Sequence, residues 1–337
     1  MRHDAAGRVD LEARYGEVRS WFSPDGLQRV LGPARSETER IAHAWLAKGG
    51  KRWRPLLVVC VFDAVCEAPG EPLPEGLREA AVAVECFHKA SLIHDDIEDH
   101  DSRRYGEKTL HEQYGVPVAL NVGDFLLGEG YRLLAEAEMG GERKARMLRA
   151  AAWGHRNLCI GQGEELASCR HGRPATPAEV IDIFRRKTAP AFEVALRLGA
   201  VYAGADEGLW PALDRYSECL GIAYQIRDDL ADVSGRSEVE EGRTSHASIL
   251  EALAGERADM DTEAAAQEML GVYLKAAADS LEALDHPVLR GLLRRVLGKM
   301  FGESDVGQAS GGERRTTGCQ RPGQSVTLLP VRGHSTS

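Results

Sequence analysis

The amino-acid sequence predicts an all-α protein, and three observations carry that reading. Aromatic residues make up only 6% of the 337-residue chain, and its long segments are rich in Ala, Leu, Glu and Arg, which favours helix over sheet. From Ser36 onward, apolar residues recur at the three- and four-residue spacing of amphipathic helices. No run alternates apolar and polar residues over a convincing strand length, and no fixed-period repeat occurs. With 43% hydrophobic and 28% charged residues, the chain can build a sizeable core and is not globally disordered. Lys+Arg 42 against Asp+Glu 52 gives a charge of −10, which argues against a general nucleic-acid binder. No apolar stretch approaches the ~20 residues of a membrane span, and the opening MRHDAAGRVDLEARYGEV lacks the apolar region of a secretory signal. A cytoplasmic protein is expected. Of its seven cysteines none forms a CxxC pair, and Cys60, Cys66, Cys86, Cys159 and Cys219 lie in apolar-periodic stretches, so they read as reduced core thiols.

Residues 1–20 form a polar segment with a weak helical signal, punctuated further on by Pro24 and Gly32-Pro33. Ser36 and Glu39 have the spacing of a capping box, and Ile41, Ala44 and Trp45 continue the helix it opens. Gly49-Gly50 interrupts it, and Pro55 suits the first turn of a second helix over Leu56 to Val65. A Pro/Gly/Glu loop spans Gly70 to Gly76. The strongest helix then runs from Leu77 to about Asp99, with Ala80, Ala81, Val84, Phe87, Ala90 and Ser91 on its periodic face. Further helices are expected near 117–138, 142–160, 177–202, 207–233, 244–255, 262–283 and 287–300. Pro190, inside one of them, cannot donate to the carbonyl of Arg186 and should kink that helix beside Lys187 and Thr188. From Gly302 the chain turns rich in Gly, Ser, Thr and Arg, so 303–337 is expected to be a disordered tail and 20–302 one helical domain.

Two acidic clusters share one spacing. Asp95, Asp96 and Asp99 form DDIED, and Asp228, Asp229 and Asp232 form DDLAD. Residues i and i+4 share a helix face, so Asp95 neighbours Asp99, and Asp228 neighbours Asp232. Each cluster ends an apolar helix, where the helix dipole disfavours carboxylates and a cation must offset the cost. One such cluster reads as a solvated helix end; two matching ones point to hard divalent cations with oxygen ligands, Mg²⁺ above all, which takes one or two carboxylates plus substrate phosphates. Lys51, Arg52 and Arg54 after the Gly-Gly turn, Arg103 and Arg104 after the first cluster, and Arg185, Arg186 and Lys187 supply cations for phosphate. No GxSxG elbow and no supported Cys–His pair offers a protein nucleophile.

GGKRWRP, SLIHDDIED, RYGEKTLHEQYG, RRKTAPAFEVALRLGA and YQIRDDLAD occur in this order over residues 40–250. The chain thereby resembles the trans-isoprenyl diphosphate synthases of the polyprenyl synthetase family, in the manner of a geranylgeranyl diphosphate synthase. The resemblance implies the isoprenoid synthase fold, helices around a deep central cavity with both aspartate motifs at its mouth. It implies head-to-tail condensation of isopentenyl diphosphate with an allylic diphosphate to an all-trans polyprenyl diphosphate, assisted by three Mg²⁺ ions. By position, Asp95 and Asp99 hold two ions and Asp228 the third, supported by Asp96, Asp229 and Asp232. Lys51, Arg54 and His88 hold isopentenyl diphosphate, Arg104 and Lys187 the allylic diphosphate, and Thr188 and Gln225 lie below the metals; a one-residue shift would instead present Arg103 and Arg104 as the family's arginine pair, whose second member contacts isopentenyl diphosphate. A homodimer through the apolar segment Val116 to Leu134 is also implied.

Two departures qualify the resemblance. The family usually has Arg-Arg-Gly where this chain has Arg104-Tyr105-Gly106, so one charge-assisted contact worth about 1.5–3 kcal/mol is missing. The loop after DDLAD is short, with Arg236 and Arg243 as its cations. A class I terpene cyclase acting on one allylic diphosphate, and a non-catalytic partner subunit, remain open readings. For product length, Ala90 and Ser91, five and four residues before Asp95, are small, and Phe87 lies eight before it. Moving the cavity floor from Ala90 to Phe87 lengthens it by ~4.5 Å at ~1.5 Å per residue, about one isoprene unit, so a product near C20, with C25 next, is expected.

Overall fold

Asp10 opens the first helix of the computed structural model by accepting hydrogen bonds from the backbone N–H groups of Glu12 and Ala13. The structure describes residues 9–66, 71–171, 175–233, 248–256, 259 and 261–302. The expected tail at 303–337, the loop with Arg236 and Arg243, and the start of the expected 244–255 helix lie outside the described residues. Helix α1 (Leu11–Trp21) falls largely within the polar segment whose helical signal is weak, and it buries Val18 and Trp21. Its Arg14 forms a two-pronged, buried ion pair with Asp63, at 2.6 and 3.0 Å. One hydrophobic core then runs unbroken from Val9 to Phe301.

Ser23 caps α2 (Pro24–Leu31), and the Ser36–Glu39 capping box opens α3 (Glu37–Ala47). After the Gly49-Gly50 turn comes α4 (Trp53–Cys66), in which every residue from Leu56 to Val61 is buried. A helix apolar on all sides belongs in the centre of a bundle. Its main partner is the equally apolar α10 (Ala189–Ala203). Gly199 makes that approach possible, since a Cβ there would lie 2.3 Å from the carbonyl oxygen of Val58.

The first aspartate cluster ends α5 (Glu75–Glu98). A hairpin follows, β1 (Arg103–Arg104) and β2 (Glu107–Lys108), antiparallel with Arg104 opposite Glu107. Short α6 (Leu110–Tyr114) leads into α7 (Val116–Glu136), which packs along α5. Helix α8 (Gly141–His171) extends well past the expected end near 160. The region expected as one kinked helix over 177–202 is α9 (Pro177–Lys187) and α10, broken at Thr188. Pro190 is the second residue of α10, so the Arg186 carbonyl has no donor four residues on. The break is tightly seated: a Cβ on Gly161 of α8 would lie 2.5 Å from the Lys187 nitrogen, and one on Gly221 would lie 2.6 Å from the Ala189 Cα. Gly221 belongs to α11 (Trp210–Val233), which ends in the second cluster. Helices α12 (Ile249–Glu256), α13 (Thr262–Ser280) and α14 (Pro287–Phe301) close the far side, α13 against α11 and α14 against α4. Cys60, Cys86 and Cys219 are buried as expected of core thiols, whereas Cys66 and Cys159 are exposed.

Candidate active site

The C-terminal ends of α5 and α11 and the α9–α10 break meet at the mouth of a cavity of about 1010 Å³. Its wall on α5 runs from Asp99 through Asp95, Ser91, His88 and Phe87 to Val84. Eleven residues separate Asp95 from Val84, a descent of ~16 Å at ~1.5 Å per residue. The facing wall on α8 carries Glu165 and Gln162 near the mouth and His155 and Ala151 further down. Helix α11 contributes only its last turns, Tyr224 to Asp232.

The structure brings most of the sequence-predicted site residues to this one cavity: Lys51, Arg54, Phe87, His88, Ser91, Asp95, Asp99, Arg103, Arg104, Lys187, Thr188, Gln225, Asp228, Asp229 and Asp232. Asp96 and Ala90 are not on its wall. Asp96 is 1% exposed and paired with Arg104 at 2.5 Å, so its carboxylate faces the hairpin instead of the mouth. Ala90, expected at the floor, is 0% exposed and packed in the core, because its neighbour Ser91 occupies the cavity-facing position. Phe87 does line the cavity, and also packs edge-on against Tyr131 with ring centroids 4.9 Å apart. Gly130 makes room for it, since a Cβ there would lie 2.6 Å from the Phe87 ring. The wall continues to Val84, so Phe87 narrows the cavity without ending it.

Electrostatics at the mouth are set by burial against a few fixed cations. Burial raises the Asp95 carboxyl and pushes Asp99 up to about 6, while Lys187 opposes both shifts. Burial also works against the Lys187 ammonium, but Asp95 and Glu165 hold its pKa above the usual lysine value. Lys187 Nζ donates to Glu165 at 2.5 Å. Just below, the Gln225 amide donates to the Thr188 hydroxyl at 2.7 Å, joining two residues 37 apart in sequence. His88 is held neutral, well below the usual histidine range, by burial and by Arg54. Arg54 lies over the Phe192 ring at 5.1 Å, and its buried Nε has no hydrogen-bond partner. Arg52, between Lys51 and Arg54, is structural: it is buried, ion-paired with Glu85 and bonded to the carbonyls of Leu46 and Lys48. Arg185 and Arg186 pair with Asp182 and do not reach the cavity.

Glu165, Arg227, His155 and Tyr224 line the cavity without having been singled out from sequence. Arg227 donates to the Asp228 carboxylate at 3.0 Å. Among the described residues, no three His, Cys, Asp or Glu side chains are arranged to enclose one metal ion. The donors offered are carboxylates, in pairs, which suits an ion that completes its shell with water and phosphate oxygens, as Mg²⁺ does. Asp95 and Asp99, one helical turn apart and partly buried at the mouth, are oxygen donors of the kind that a divalent cation takes, so the residues fit one.

Comparison with known proteins gives this geometry a family. A geranylgeranyl pyrophosphate synthase of Geoglobus acetivorans is 34% identical over 212 residues, covering 63% of this chain and 64% of that one. A farnesyl diphosphate synthase of Geobacillus stearothermophilus is 34% identical over 221 residues, covering 63% and 71%. The chain thus spans about two thirds of the length of these relatives. Among solved structures, the Geoglobus acetivorans geranylgeranyl pyrophosphate synthetase superposes with a TM-score of 0.74 at 26% identity, over 87% of this chain and 99% of that one. The fold is also shared with a geranylgeranyl pyrophosphate synthase of Corynebacterium glutamicum, complexed with isoprenyl diphosphate and magnesium (TM-score 0.75, 24% identity, 88% and 99% covered). The model of the polyprenyl synthetase family matches residues 35–272, well over half of the sequence, and the chain belongs to that family.

Proposed function

We propose that the protein is a prenyltransferase that joins isopentenyl diphosphate head to tail to an allylic diphosphate, forming an all-trans polyprenyl diphosphate. The observation that supports this reading is that one deep cavity is lined both by Lys51, Arg54 and His88 and by Lys187 with the two carboxylate clusters, groups suited to two diphosphates. Lys51, Arg54 and His88 form one set; Lys187 with the two carboxylate clusters forms the other. A cyclase acting on a single diphosphate has no use for the first set, although Tyr105 in place of an arginine leaves that set weaker.

Asp95, Asp99 and Asp228 would hold Mg²⁺, three ions in all, with Asp232 beside them. When bound, the metal neutralises the leaving diphosphate and stabilises its departure. Lys187 donates to the same diphosphate and is itself held in place by Glu165. Arg54 and Lys51 fix isopentenyl diphosphate so that its double bond faces the allylic carbon, a gain of orientation. The Thr188–Gln225 pair directs oxygen dipoles toward the carbon that becomes cationic. The apolar walls below exclude water, which would otherwise quench that cation to an alcohol. The proton lost after bond formation passes to the departing pyrophosphate.

A homodimer and a cytoplasmic location belong to the same reading. Tyr114, Val116, Val118 and Leu120 are 46%, 43%, 37% and 42% exposed, a large apolar group to leave in water. Further along the expected interface, Val122, Leu126 and Leu133 of α7 are buried, whereas Asn121, Asp124 and Gly128 are exposed. Among the described residues, no helix is long and apolar enough to cross a membrane. Incubation with Mg²⁺, isopentenyl diphosphate and each allylic diphosphate in turn should yield elongated diphosphates. Formation of a hydrocarbon or alcohol from one allylic diphosphate alone would replace this reading by that of a cyclase, and inactivity relieved only by a second chain by that of a partner subunit. A monomer by light scattering at micromolar concentration would overturn the dimer.

A further inference from the structure

Lys89 follows His88 on α5 but points away from the cavity, into the body of the protein. It is 0% exposed. Its ammonium donates to the carbonyls of Lys48, at 3.1 Å, and Gly49, at 2.9 Å. These carbonyls belong to the turn between α3 and α4, immediately before Lys51. Trp45 lies beside it, with the ring centroid 5.4 Å from Nζ, and its indole N–H donates to the Lys89 carbonyl at 3.1 Å.

The remaining face of the ammonium is covered by Tyr105, whose ring centroid is 4.1 Å from Nζ. Tyr105 occupies the first turn position of the hairpin, and both turn residues have positive φ, 55° at Tyr105 and 75° at Gly106. A two-residue turn of this kind normally takes Asn or Asp before Gly; a tyrosine there is unfavourable by itself and needs a compensating contact. The ring finds one on Lys89 and against the turn, where a Cβ on Gly49 or Gly50 would lie 3.7 Å from the ring or its hydroxyl. Tyr105 also lines the cavity wall and is 38% exposed as a residue.

Charge explains why this contact matters. The carboxylate that would offset Lys89, Glu85, is already ion-paired with Arg52. Burial pushes the Lys89 ammonium down to about 7, against the pull of Glu85. The carbonyls at the end of α3 and the two aromatic faces are therefore what keep a cation in place there.

We propose that Lys89 and Tyr105 are a pair of positioning residues for the isopentenyl diphosphate subsite: the buried ammonium ties down the Gly49-Gly50 turn that launches Lys51, and the Tyr105 ring locks the hairpin that carries Arg103 onto the same ammonium. Two cation-bearing segments from distant parts of the sequence are thereby fixed as one wall. The inference rests on the reading that Lys51, Arg54 and His88 hold isopentenyl diphosphate.

The test is steady-state kinetics, with calorimetric binding of isopentenyl diphosphate, on Lys89→Met, Tyr105→Leu, Tyr105→Phe and the Lys89→Met/Tyr105→Leu double variant. Lys89→Met and Tyr105→Leu should each raise KM for isopentenyl diphosphate on the order of tenfold, while KM for the allylic diphosphate and kcat change less than about twofold. Tyr105→Phe, which keeps the ring, should restore the KM, and the double variant should be no worse than either single one. Where Lys89→Met fails to fold, Tyr105→Leu against Tyr105→Phe decides. An unchanged KM in Tyr105→Leu, an equal rise for both substrates, or additive losses in the double variant overturns the proposal. If the wild-type protein elongates normally and the variants match it, this inference alone fails. If the wild type neither binds nor consumes isopentenyl diphosphate, the inference falls together with the functional reading.

Discussion

The ends of α5 and α11 carry the same DDxxD spacing and yet are built differently around it. In both, the first and last aspartates reach the cavity mouth and the middle one is used as an anchor, although Asp229, unlike Asp96, also lines the cavity. Asp96 is ion-paired with Arg104, tying the hairpin to α5. Asp229 accepts the backbone N–H of Ile249, at 2.7 Å, tying the start of α12 to α11 twenty residues on. Arg104 has Asp101 as a second partner, at 3.5 Å, while the second oxygen of Asp96 is buried with no partner. A DDxxD motif thus does two jobs at once. Residues i and i+4 project together, and residue i+1, turned about 100° away, is free to hold whatever follows the motif. The two copies differ in what the anchor holds: the Arg104 guanidinium in the first, the backbone N–H of Ile249 in the second.

The largest effect should come from the mouth positions, where the two copies act alike. Asp95→Ala and Asp228→Ala should each lower kcat by at least about 10²–10³-fold, with helical circular dichroism unchanged. Chelation of divalent cations should abolish turnover in the wild type. Near-normal activity in either variant, or full activity with EDTA, breaks the equivalence of the two clusters and the mechanism with it.

The anchors differ in what their loss removes. Asp96→Ala removes one partner of a buried pair and leaves Arg104 with the weaker Asp101 contact, a loss of about 3 kcal/mol of stability. Asp229→Ala removes, among its contacts, the hydrogen bond to the buried Ile249 N–H, a loss of at least about 1–2 kcal/mol. Denaturant unfolding of the two variants should show both destabilised; an unchanged midpoint in either would show that its middle aspartate is no anchor.

How much of this was legible beforehand follows from what each signal depends on. Caps and periodicity located α3, α5, α7, α11 and α14, because these depend on local spacing alone. Pro190 marked the break between α9 and α10 for the same reason. Glu165 escaped notice because the helix before it is expected from sequence to end near 160. In the folded protein Gly161 serves as a point of close backbone approach, so α8 continues and delivers Glu165 to Lys187. Lys89 was hidden because a lysine in a helix reads as solvated. Ala90 and Ser91 could not be told apart without the rotation of α5 against α7, a tertiary quantity. The offset of Asp96 was available from the i+1 geometry but was absorbed into the metal set that the resemblance implied.

A smaller effect distinguishes the clusters by pH. Burial sets the Asp99 carboxyl near 6, above the ordinary value of 3.8. Below that pH the group is protonated and a metal must displace the proton; above it the carboxylate is ready to bind. The Mg²⁺ concentration for half-maximal rate should therefore rise as pH falls through about 6, by up to about tenfold per unit. Asp99→Asn should flatten this dependence, at reduced activity. Asp232→Asn, in the equivalent place on α11, should leave it in place. If Asp232→Asn also flattens it, the pH response is shared between the clusters.

The subtlest difference lies below the clusters. Helix α5 lines the cavity from Asp99 down to Val84, whereas α11 lines it only from Tyr224 to Asp232, so growing product can be measured against α5 and not against α11. Ser91, one turn below Asp95, faces the cavity, and its hydroxyl is turned back to the His88 carbonyl at 2.8 Å. Ser91→Phe should place a ring across the cavity ~6 Å below Asp95 and shorten the product by about one isoprene unit. Ala90→Phe, one residue away, should leave product length unchanged and cost about 1–3 kcal/mol of stability, because Ala90 is packed in the core. Phe87→Ala should lengthen the product by at most about one unit, since Val84 lies only one turn further, ~4.5 Å down the helix. Chromatography of the dephosphorylated products reads all three. A shortened product from Ala90→Phe, with Ser91→Phe unchanged, would mean that α5 turns a different edge to the cavity when substrate is bound. Product length unaffected by any of the three would move the measuring wall to the facing helix, α8, where His155 and Ala151 lie at comparable depth.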